Sequence, residues 1–290
     1  MSRDFLVIGA TGKTGSQTTE LLLEHGHRVR ALVHRADDRS ERLAALGAET
    51  VTGDVHDLNA VAAAMKGIDA VYFTYPILPG LLDATANVAQ AAAENQVGAI
   101  VSMSQVSARR EAASNAARQH WVAERLLDRS AAAVTHLRPT FFAEWLVNFW
   151  DGTGVLRLPL GDGRHAPITA ADQAKVIAAI LEDPAPHAGA TYPLYGPVEL
   201  NHYEIAETMS SVLGRDVTYV PVEFADFAAA LERQGRSPHL IQHLSGVTVD
   251  YRHGIFSGTN DLVKAISGSD PTDLGTFIAQ NKPFYDNHAA

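Results

Sequence analysis

Seven residues near the amino terminus have the types and spacing to bind phosphate: Gly9-Ala10-Thr11-Gly12-Lys13-Thr14-Gly15. Glycines at three-residue spacing after an apolar run are typical of a loop that presents backbone N–H groups to a dinucleotide pyrophosphate. A nucleoside-triphosphatase loop would need glycine at position 7, which is valine, so that class is excluded. We therefore predict dinucleotide contacts from Gly9, Thr11, Gly12, Lys13, Thr14 and Gly15. A turn with only a structural role is the alternative.

The residues after the second predicted strand indicate which dinucleotide binds. The strand tip, Val33-His34-Arg35, has no carboxylate, whereas NAD-binding proteins place an acidic residue there for the ribose hydroxyls. The Arg35 guanidinium suits a 2′-phosphate, with help from Lys13, and the pattern favours NADP(H) over NAD(H). The alternative is that Arg35 is an exposed loop cation and that Asp37 or Asp38 reaches the ribose.

A histidine and a carboxylate, His120 and Glu124, stand four residues apart on one face of a predicted helix. A carboxylate beside imidazole raises the pKa of the ring and orients it, which suits contact with a nicotinamide ribose or proton delivery. An ordinary exposed ion pair is the alternative. Ser104 ends the fifth predicted strand, where it either approaches a substrate carbonyl or caps the next helix. We predict His120, Glu124 and Ser104 as the catalytic residues.

The tyrosines and the remaining histidines exclude other chemistries. None of the eight tyrosines has a lysine four residues later, so the Tyr–Lys proton relay of conventional short-chain reductases is absent. His239 and His243 have a spacing seen in metal sites, but no carboxylate lies nearby, and His25 and His27 lie in a polar loop. We expect no metal. A serine-hydrolase Gly-x-Ser-x-Gly elbow does not occur either.

These residues require a scaffold in which strands and helices alternate, and the apolar pattern predicts one. Such alternation is typical of a parallel sheet with helices on both faces, so the predicted fold is α/β, a doubly wound parallel sheet of the Rossmann type. Strands are predicted at 5–8, 29–33, 49–52, 70–74, 99–102, 134–137 and 191–194. Helices are predicted at 18–25, 39–46, 58–65, 87–94, 116–127, 170–181 and 203–213.

The regular alternation ends after residue 140, where a Gly-rich and Pro-containing segment follows. We expect a dinucleotide-binding domain from 1–140 and 166–189. A smaller, mixed C-terminal substrate-binding lobe is expected from 141–165 and 190–290. Within it, Asn201 and Glu204 have the spacing of a helix N-cap and its N3 partner.

Taken together, these motifs resemble the NmrA-like family of atypical short-chain dehydrogenases/reductases, over residues 5 to about 285. The segments that carry the resemblance are 9–15, 32–35, 53–55, 137–144 (Leu-Arg-Pro-Thr-Phe-Phe-Ala-Glu), 195–200 (Tyr-Gly-Pro-Val-Glu-Leu) and 204–206. His120 and Glu124 are similar to the Lys-or-His then Glu pattern of the family. Trp145 stands where the family usually has asparagine, which removes an amide from the site.

The resemblance implies an NADP(H)-binding Rossmann domain, a smaller substrate lobe and a cleft between them. Family members include quinone, azo-dye and triphenylmethane-dye reductases, and also regulators that bind the dinucleotide without turning it over. The expected function is an NADPH-dependent reductase that passes hydride to a flat, electron-poor acceptor such as a quinone or azo compound. The alternative is a non-catalytic NADP(H) sensor that binds a protein partner. Further predicted cofactor contacts are Asp54, Val55, Thr74, Tyr75, Pro76 and His120, and predicted substrate contacts are Phe141, Phe142 and Trp145.

The composition limits the partners of this 290-residue chain. It has 23 Lys+Arg against 33 Asp+Glu, a net charge of −10 and only five lysines, which argues against direct nucleic-acid binding. It has no cysteine, which excludes disulfides and thiolate metal sites and fits the reducing cytoplasm. No run approaches the roughly 18 apolar residues of a membrane span. We expect a small aromatic acceptor and no membrane, and the sequence leaves open whether a homo-oligomer forms.

Overall fold

The computed structural model describes residues 2–288, and a parallel sheet of seven strands runs through its centre. Counting the two small sheets as well, the described residues form β1 (Asp4–Ile8), β2 (Arg28–Val33), β3 (Glu49–Thr52), β4 (Ala70–Phe73), β5 (Ala99–Met103), β6 (Ala133–Pro139), β7 (Val155–Leu158), β8 (Arg164–His165), β9 (Thr191–Leu194), β10 (Leu200–Asn201) and β11 (Thr218–Pro221). The order across the large sheet is β3-β2-β1-β4-β5-β6-β9, with every neighbouring pair parallel. This order confirms the predicted doubly wound topology.

The central strands are stable because both of their faces are buried. In β1, Phe5 and Val7 belong to the hydrophobic cluster on one face of the sheet, whereas Leu6 and Ile8 belong to the cluster on the other. Parallel strands covered on both faces are continuous apolar runs rather than alternating ones. That pattern is the one from which this strand was predicted.

Helices cover both faces of the sheet. They are α1 (Lys13–Glu24), α2 (Asp38–Ala45), α3 (Leu58–Ala64), α4 (Leu81–Glu94), α5 (Asn115–Leu127), α6 (Trp145–Asn148), α7 (Ala170–Glu182), α8 (His202–Leu213), α9 (Phe224–Arg233), α10 (Pro238–Arg252), α11 (Leu262–Ser267), α12 (Leu274–Gln280) and α13 (Lys282–Asn287). Helices α1, α7 and α11 contribute to the cluster on one face, and α3, α4 and α5 to the cluster on the other. Between residues 2 and 288, no helix is both long and apolar enough to cross a membrane.

A third hydrophobic cluster forms the smaller lobe, with side chains from β7, β11, α8, α10, α12 and α13. Two small sheets accompany it, a parallel pair of β7 with β11 and an antiparallel pair of β8 with β10. The predicted capping box of α8 is confirmed: the Asn201 side chain accepts from the Glu204 N–H at 2.9 Å, and the Glu204 carboxylate accepts from the Asn201 N–H at 2.9 Å. The lobe is therefore mixed α and β, as predicted.

Two segments assigned to the lobe pack with the sheet instead. Strand β9 pairs with β6, with Thr191 opposite His136, and is the edge strand of the large sheet. Val263 of α11 is buried in the cluster that covers the α7 face. The reason is that α7 is the crossover helix between β6 and β9, so the strand after it returns to the same sheet. The rest of the expected division at residues 140, 166 and 190 stays a prediction.

The strand order reverses between β1 and β4, because β2 and β3 lie on one side of β1 and β5, β6 and β9 lie beyond β4. In doubly wound sheets a crevice opens at this reversal, outside the carboxyl ends of the strands. The glycine loop follows β1, residues 74–76 follow β4, and Ser104 follows β5. The fold thus brings three of the predicted site segments to one edge of the sheet.

Candidate active site

The glycine loop is shaped for close approach between backbone and ligand. Gly9 has φ +84°, and a Cβ atom there would lie 2.5 Å from Thr74 Cγ2. A Cβ atom at Gly15 would lie 2.3 Å from the Gly9 carbonyl oxygen, so this glycine lets α1 begin directly against the loop. No side chain caps the first turn of α1, which leaves its N–H groups and the positive end of the helix dipole free. These are the properties of a site for a dinucleotide pyrophosphate.

A cleft of about 470 Å³ extends from this loop. Eight of the predicted cofactor residues line it: Gly9, Thr11, Gly12, Lys13, Thr14, Thr74, Tyr75 and Pro76. Gly15 lies behind the loop, in contact with its backbone. The loop after β1 and the segment after β4 therefore lie next to each other and line one cleft.

The arginine that lines this cleft is Arg39, whereas Arg35 is exposed and is not one of the lining residues. Arg39 donates to Asp37 Oδ2 from Nη2 at 2.6 Å and from Nε at 3.1 Å. Asp37 also caps α2 by accepting from the Arg39 and Ser40 N–H groups. The side chain that was a candidate for binding ribose hydroxyls is thus occupied as a helix cap and as the partner of Arg39. The Asp37 and Ser40 spacing was the sequence signal that α2 begins at Asp38 and places Arg39 in its first turn.

Asp54 and Val55 follow β3, the edge strand next to β2, and they are not among the residues that line the cleft. The Asp54 carboxylate accepts from the His56 backbone N–H at 2.9 Å and contacts His56 Nδ1 at 3.0 Å. These contacts lower the pKa of Asp54, the backbone hydrogen bond most. Tyr75 connects this segment to the cleft, since its hydroxyl contacts His56 Nε2 at 3.2 Å. A cofactor role for Asp54 and Val55 remains a prediction.

A second cavity, of about 260 Å³, adjoins the cofactor cleft. The two share five lining residues, Thr74, Tyr75, Pro76, Phe142 and Trp145. This second cavity is called the acceptor cavity below, after its predicted role. The three predicted substrate residues, Phe141, Phe142 and Trp145, all line it. Its polar lining includes Ser104, Gln105, His120 and His243.

Glu124 contacts partners that the sequence spacing did not indicate. It is 1% exposed, and its Oε1 atom accepts from Ser104 Oγ at 2.6 Å and from Arg138 Nε at 2.8 Å, while Oε2 accepts from Arg138 Nη2. Within residues 2–288 no hydrogen bond joins Glu124 to His120. The carboxylate therefore holds Ser104 and Arg138 in place rather than orienting the imidazole.

Burial decides the charge of His120. The ring is 5% exposed, so the alternative of an ordinary exposed ion pair is excluded. Loss of hydration lowers the pKa of His120 to about 4, and the opposing attraction of Glu124 is smaller. Glu124 raises this pKa, as expected, but desolvation lowers it more, so the net shift is downward. The imidazole is neutral at physiological pH and can make hydrogen bonds without carrying charge.

Comparison with known proteins identifies the family to which this site belongs. A protein-family model described as NAD(P)H-binding matches residues 9–184, which is more than half of the chain. The chain belongs to this NAD(P)H-binding family. The matched region contains the glycine loop, the segment after β4, Ser104 and the His120 helix, and it ends at the close of α7.

Full-length relatives of this NAD(P)H-binding chain include reductases. The NAD(P)H azoreductase of Xenophilus azovorans is 28% identical over 268 residues, which cover 91% of this chain and 92% of the relative. The crystal structure of an NADPH-dependent quinone oxidoreductase from Escherichia coli is 26% identical, covers 95% of this chain and 98% of its own, and has a TM-score of 0.82. NmrA, a negative transcriptional regulator, has a TM-score of 0.83 at 16% identity and shares the fold. These matches confirm the predicted fold, the NAD(P)H cofactor class and the assignment to the NAD(P)H-dependent reductases of the atypical short-chain type.

Two acidic and polar groups of this NAD(P)H-binding site were missed in the sequence. Glu144, 8% exposed, lines the cofactor cleft, and its Oε1 atom accepts from the Ala170 N–H at 2.9 Å, at the first turn of α7. Burial raises the pKa of this carboxyl group. Asn148, one turn beyond Trp145, also lines the cleft and supplies an amide in the region where the family usually has one at position 145. In the sequence, the one feature that pointed to these two residues was their position after β6, next to the predicted substrate residues Phe141, Phe142 and Trp145.

Proposed function

We propose that this protein uses NADPH to reduce a flat, electron-poor acceptor such as a quinone or an azo compound. The observation that carries the proposal is the shared wall of the two spaces. The glycine-loop cleft and the acceptor cavity meet at Thr74, Tyr75, Pro76, Phe142 and Trp145, so a ring in one lies beside a ring in the other. Direct transfer between bound partners depends on such proximity.

The acceptor is reduced by two electrons and two hydrogens in this scheme. A dinucleotide held by the glycine loop would supply the hydride, which carries two electrons and one hydrogen. The acceptor takes up that hydride, and the oxygen or nitrogen atom that gains the electron pair takes a proton from water. No strong protein acid is needed, in keeping with the absence of the Tyr–Lys relay from the sequence. What the chain supplies is position and a hydrogen-bonding environment.

The residues that line the acceptor cavity contribute to acceptor binding in different ways. Phe141, Phe142 and Trp145 hold the flat ring, and Trp145 stacks on Phe149 with ring centroids 5.2 Å apart, which supports this wall. Ser104 contributes differently from the sequence hypothesis. Its single hydroxyl proton is donated to Glu124 at 2.6 Å, so towards the cavity it can only accept a hydrogen bond. His120 lines the acceptor cavity as a neutral ring, and it would face the nicotinamide end of a cofactor that extends to the wall between the two spaces.

Preference for NADPH over NADH follows from the cations at the cleft. Lys13 lies in the glycine loop after β1 and Arg39 lies in the first turn of α2 after β2, and both line the cleft. Arg39 is held by Asp37 in a position that leaves part of the guanidinium for a 2′-phosphate. Arg35, exposed at the tip of β2, adds charge at longer range.

The test is a turnover assay with purified protein. NADPH consumption is followed by its near-ultraviolet absorbance with a panel of quinones, azo dyes and aldehydes, and NADPH and NADH binding is measured separately by calorimetry. We expect acceptor-dependent oxidation with quinones or azo dyes and little with aldehydes. Tight, selective NADPH binding with no turnover of any acceptor would overturn the reductase proposal and favour the NADP(H)-sensing alternative.

A further inference from the structure

The acceptor cavity contains one polar ring that the scheme above does not use, His243 on α10. We propose that His243 binds the acceptor directly, donating a hydrogen bond from Nε2 to the carbonyl oxygen or azo nitrogen that gains electron density during reduction. The proposal rests on the proposed function, because it assigns a contact within the same cavity. It also gives a task to a histidine whose spacing from His239 is seen in metal sites, although the sequence predicted no metal there.

The backbone around His243 is packed tightly against the start of α5. A Cβ atom at Gly246 would lie 2.4 Å from the Ser114 backbone nitrogen, so the glycine allows α10 to approach this point. Gln242 fixes the register, because its Oε1 atom accepts from the Asn115 N–H at 2.8 Å and its Nε2 atom donates to the Ala113 carbonyl at 2.9 Å. His243 is thus held by a rigid contact between the lobe and the dinucleotide domain.

The hydrogen bonds of Ser114 determine which ring nitrogen carries the proton. Ser114 Oγ accepts from the Ala117 N–H at 3.1 Å as the N-cap of α5, and it lies 2.8 Å from His243 Nδ1. Ser114 is fully buried, so its hydroxyl proton needs an acceptor, and Nδ1 is the acceptor that remains. With Nδ1 accepting, the neutral ring carries its proton on Nε2. Burial lowers the pKa of His243 to about 4, which keeps the ring neutral.

Two other polar residues of the cavity, Ser104 and Gln105, are not placed to donate to the acceptor. Ser104 has committed its proton to Glu124, and Gln105 has its Oε1 atom bound by Ser107 Oγ at 2.8 Å while its Nε2 atom is buried. A donor aimed at the atom where negative charge develops stabilises the transition state more than the bound acceptor. The Nε2–H bond of His243 stays intact throughout, and the proton that completes the product comes from water.

The experiment compares His243→Leu, which removes the donor, with His243→Gln, whose side-chain amide keeps an N–H donor. His239→Leu, one turn earlier on α10, is the matched control. With menadione as acceptor we expect kcat/KM to fall between about tenfold and 1000-fold for His243→Leu. His243→Gln should retain most activity, His239→Leu should match the wild type, and NADPH affinity should be unchanged in all three. Equal activity of His243→Leu and wild type would overturn the assignment.

A second readout needs no turnover, and it separates this inference from the proposed function. Menadione binding is followed by quenching of tryptophan fluorescence, since Trp145 lines the same cavity. Weaker binding to His243→Leu than to His243→Gln supports the contact even if the wild type fails to oxidise NADPH. Identical binding to both variants would contradict it. Ser114→Gly removes the hydroxyl and costs little helix stability, because glycine is also accepted at an N-cap. Its loss of menadione binding should be smaller than that of His243→Leu, because the imidazole is still present and only its fixed tautomer is lost.

Discussion

Glu124→Gln replaces a buried carboxylate that accepts hydrogen bonds from Ser104 Oγ and from Nε and Nη2 of Arg138. Removing one partner of a buried ion pair leaves the other charge uncompensated, which costs about 3–5 kcal/mol. The Arg138 side chain is 23% exposed, so water relieves part of this penalty. We expect about 3 kcal/mol of lost stability, or a Tm lower by about 5–10 °C.

The assay is thermal and urea unfolding of a double-mutant cycle that includes Glu124→Gln, Arg138→Gln and the double variant. The double variant should be less destabilised than the sum of the single changes, with a coupling energy of about 1–3 kcal/mol. Additive effects, or a Glu124→Gln variant as stable as the wild type, would refute this assignment of Glu124. A shift of the pH–activity profile with unchanged stability would instead restore the hypothesis that Glu124 tunes His120.

Three further predictions concern the cofactor, the glycine loop and pH. Arg39→Ala should weaken NADPH binding more than NADH binding by calorimetry, and more than Arg35→Ala does; the opposite ranking would return the 2′-phosphate to Arg35. Gly15→Ala should lower both Tm and NADPH affinity, because its Cβ atom would lie 2.3 Å from the Gly9 carbonyl oxygen; an unchanged variant would contradict the close packing of loop and helix. The pKa values of His120 and His202 are lowered from 6.5 to about 4, so the unfolded chain binds protons first on acidification. The free energy of unfolding, measured with urea, should be constant above about pH 6.5 and should fall from there to pH 4. Each histidine contributes about 1.4 kcal/mol of this fall for every unit by which its pKa in the folded protein lies below that in the unfolded chain. A constant free energy of unfolding over that range would show that these rings are not desolvated.

The sheet and the glycine loop were predictable because they depend on local patterns. Continuous apolar runs define β1 and β4, and the glycine spacing defines the turn that follows β1. Helix starts were less accurate: α4 begins at Leu81 after a left-handed Gly80, six residues before the predicted start at 87. Helices α9 to α13 were not predicted, although α9 carries apolar residues at helical spacing: Phe224, Phe227, Ala228 and Leu231.

The sequence indicated several residues of the candidate site, but it did not indicate which of them contact each other. Ser104, His120 and Glu124 do lie at one end of the sheet, but the partner of Glu124 is Arg138 on β6, which no helical spacing indicates. The direction of the His120 pKa depends on burial, a property that an i, i+4 pattern does not report. His243 joins the cavity from a helix more than a hundred residues later in the chain.

The most direct test of the account is hydride transfer itself, observed in a single turnover. Enzyme saturated with NADPH is mixed rapidly with menadione, and the decay of NADPH absorbance is compared with that of NADPH deuterated at C4 of the nicotinamide. The account predicts an acceptor-dependent decay that is slower for the deuterated cofactor and that equals the menadione reduced. Bound NADPH whose absorbance is unaffected by menadione would contradict it.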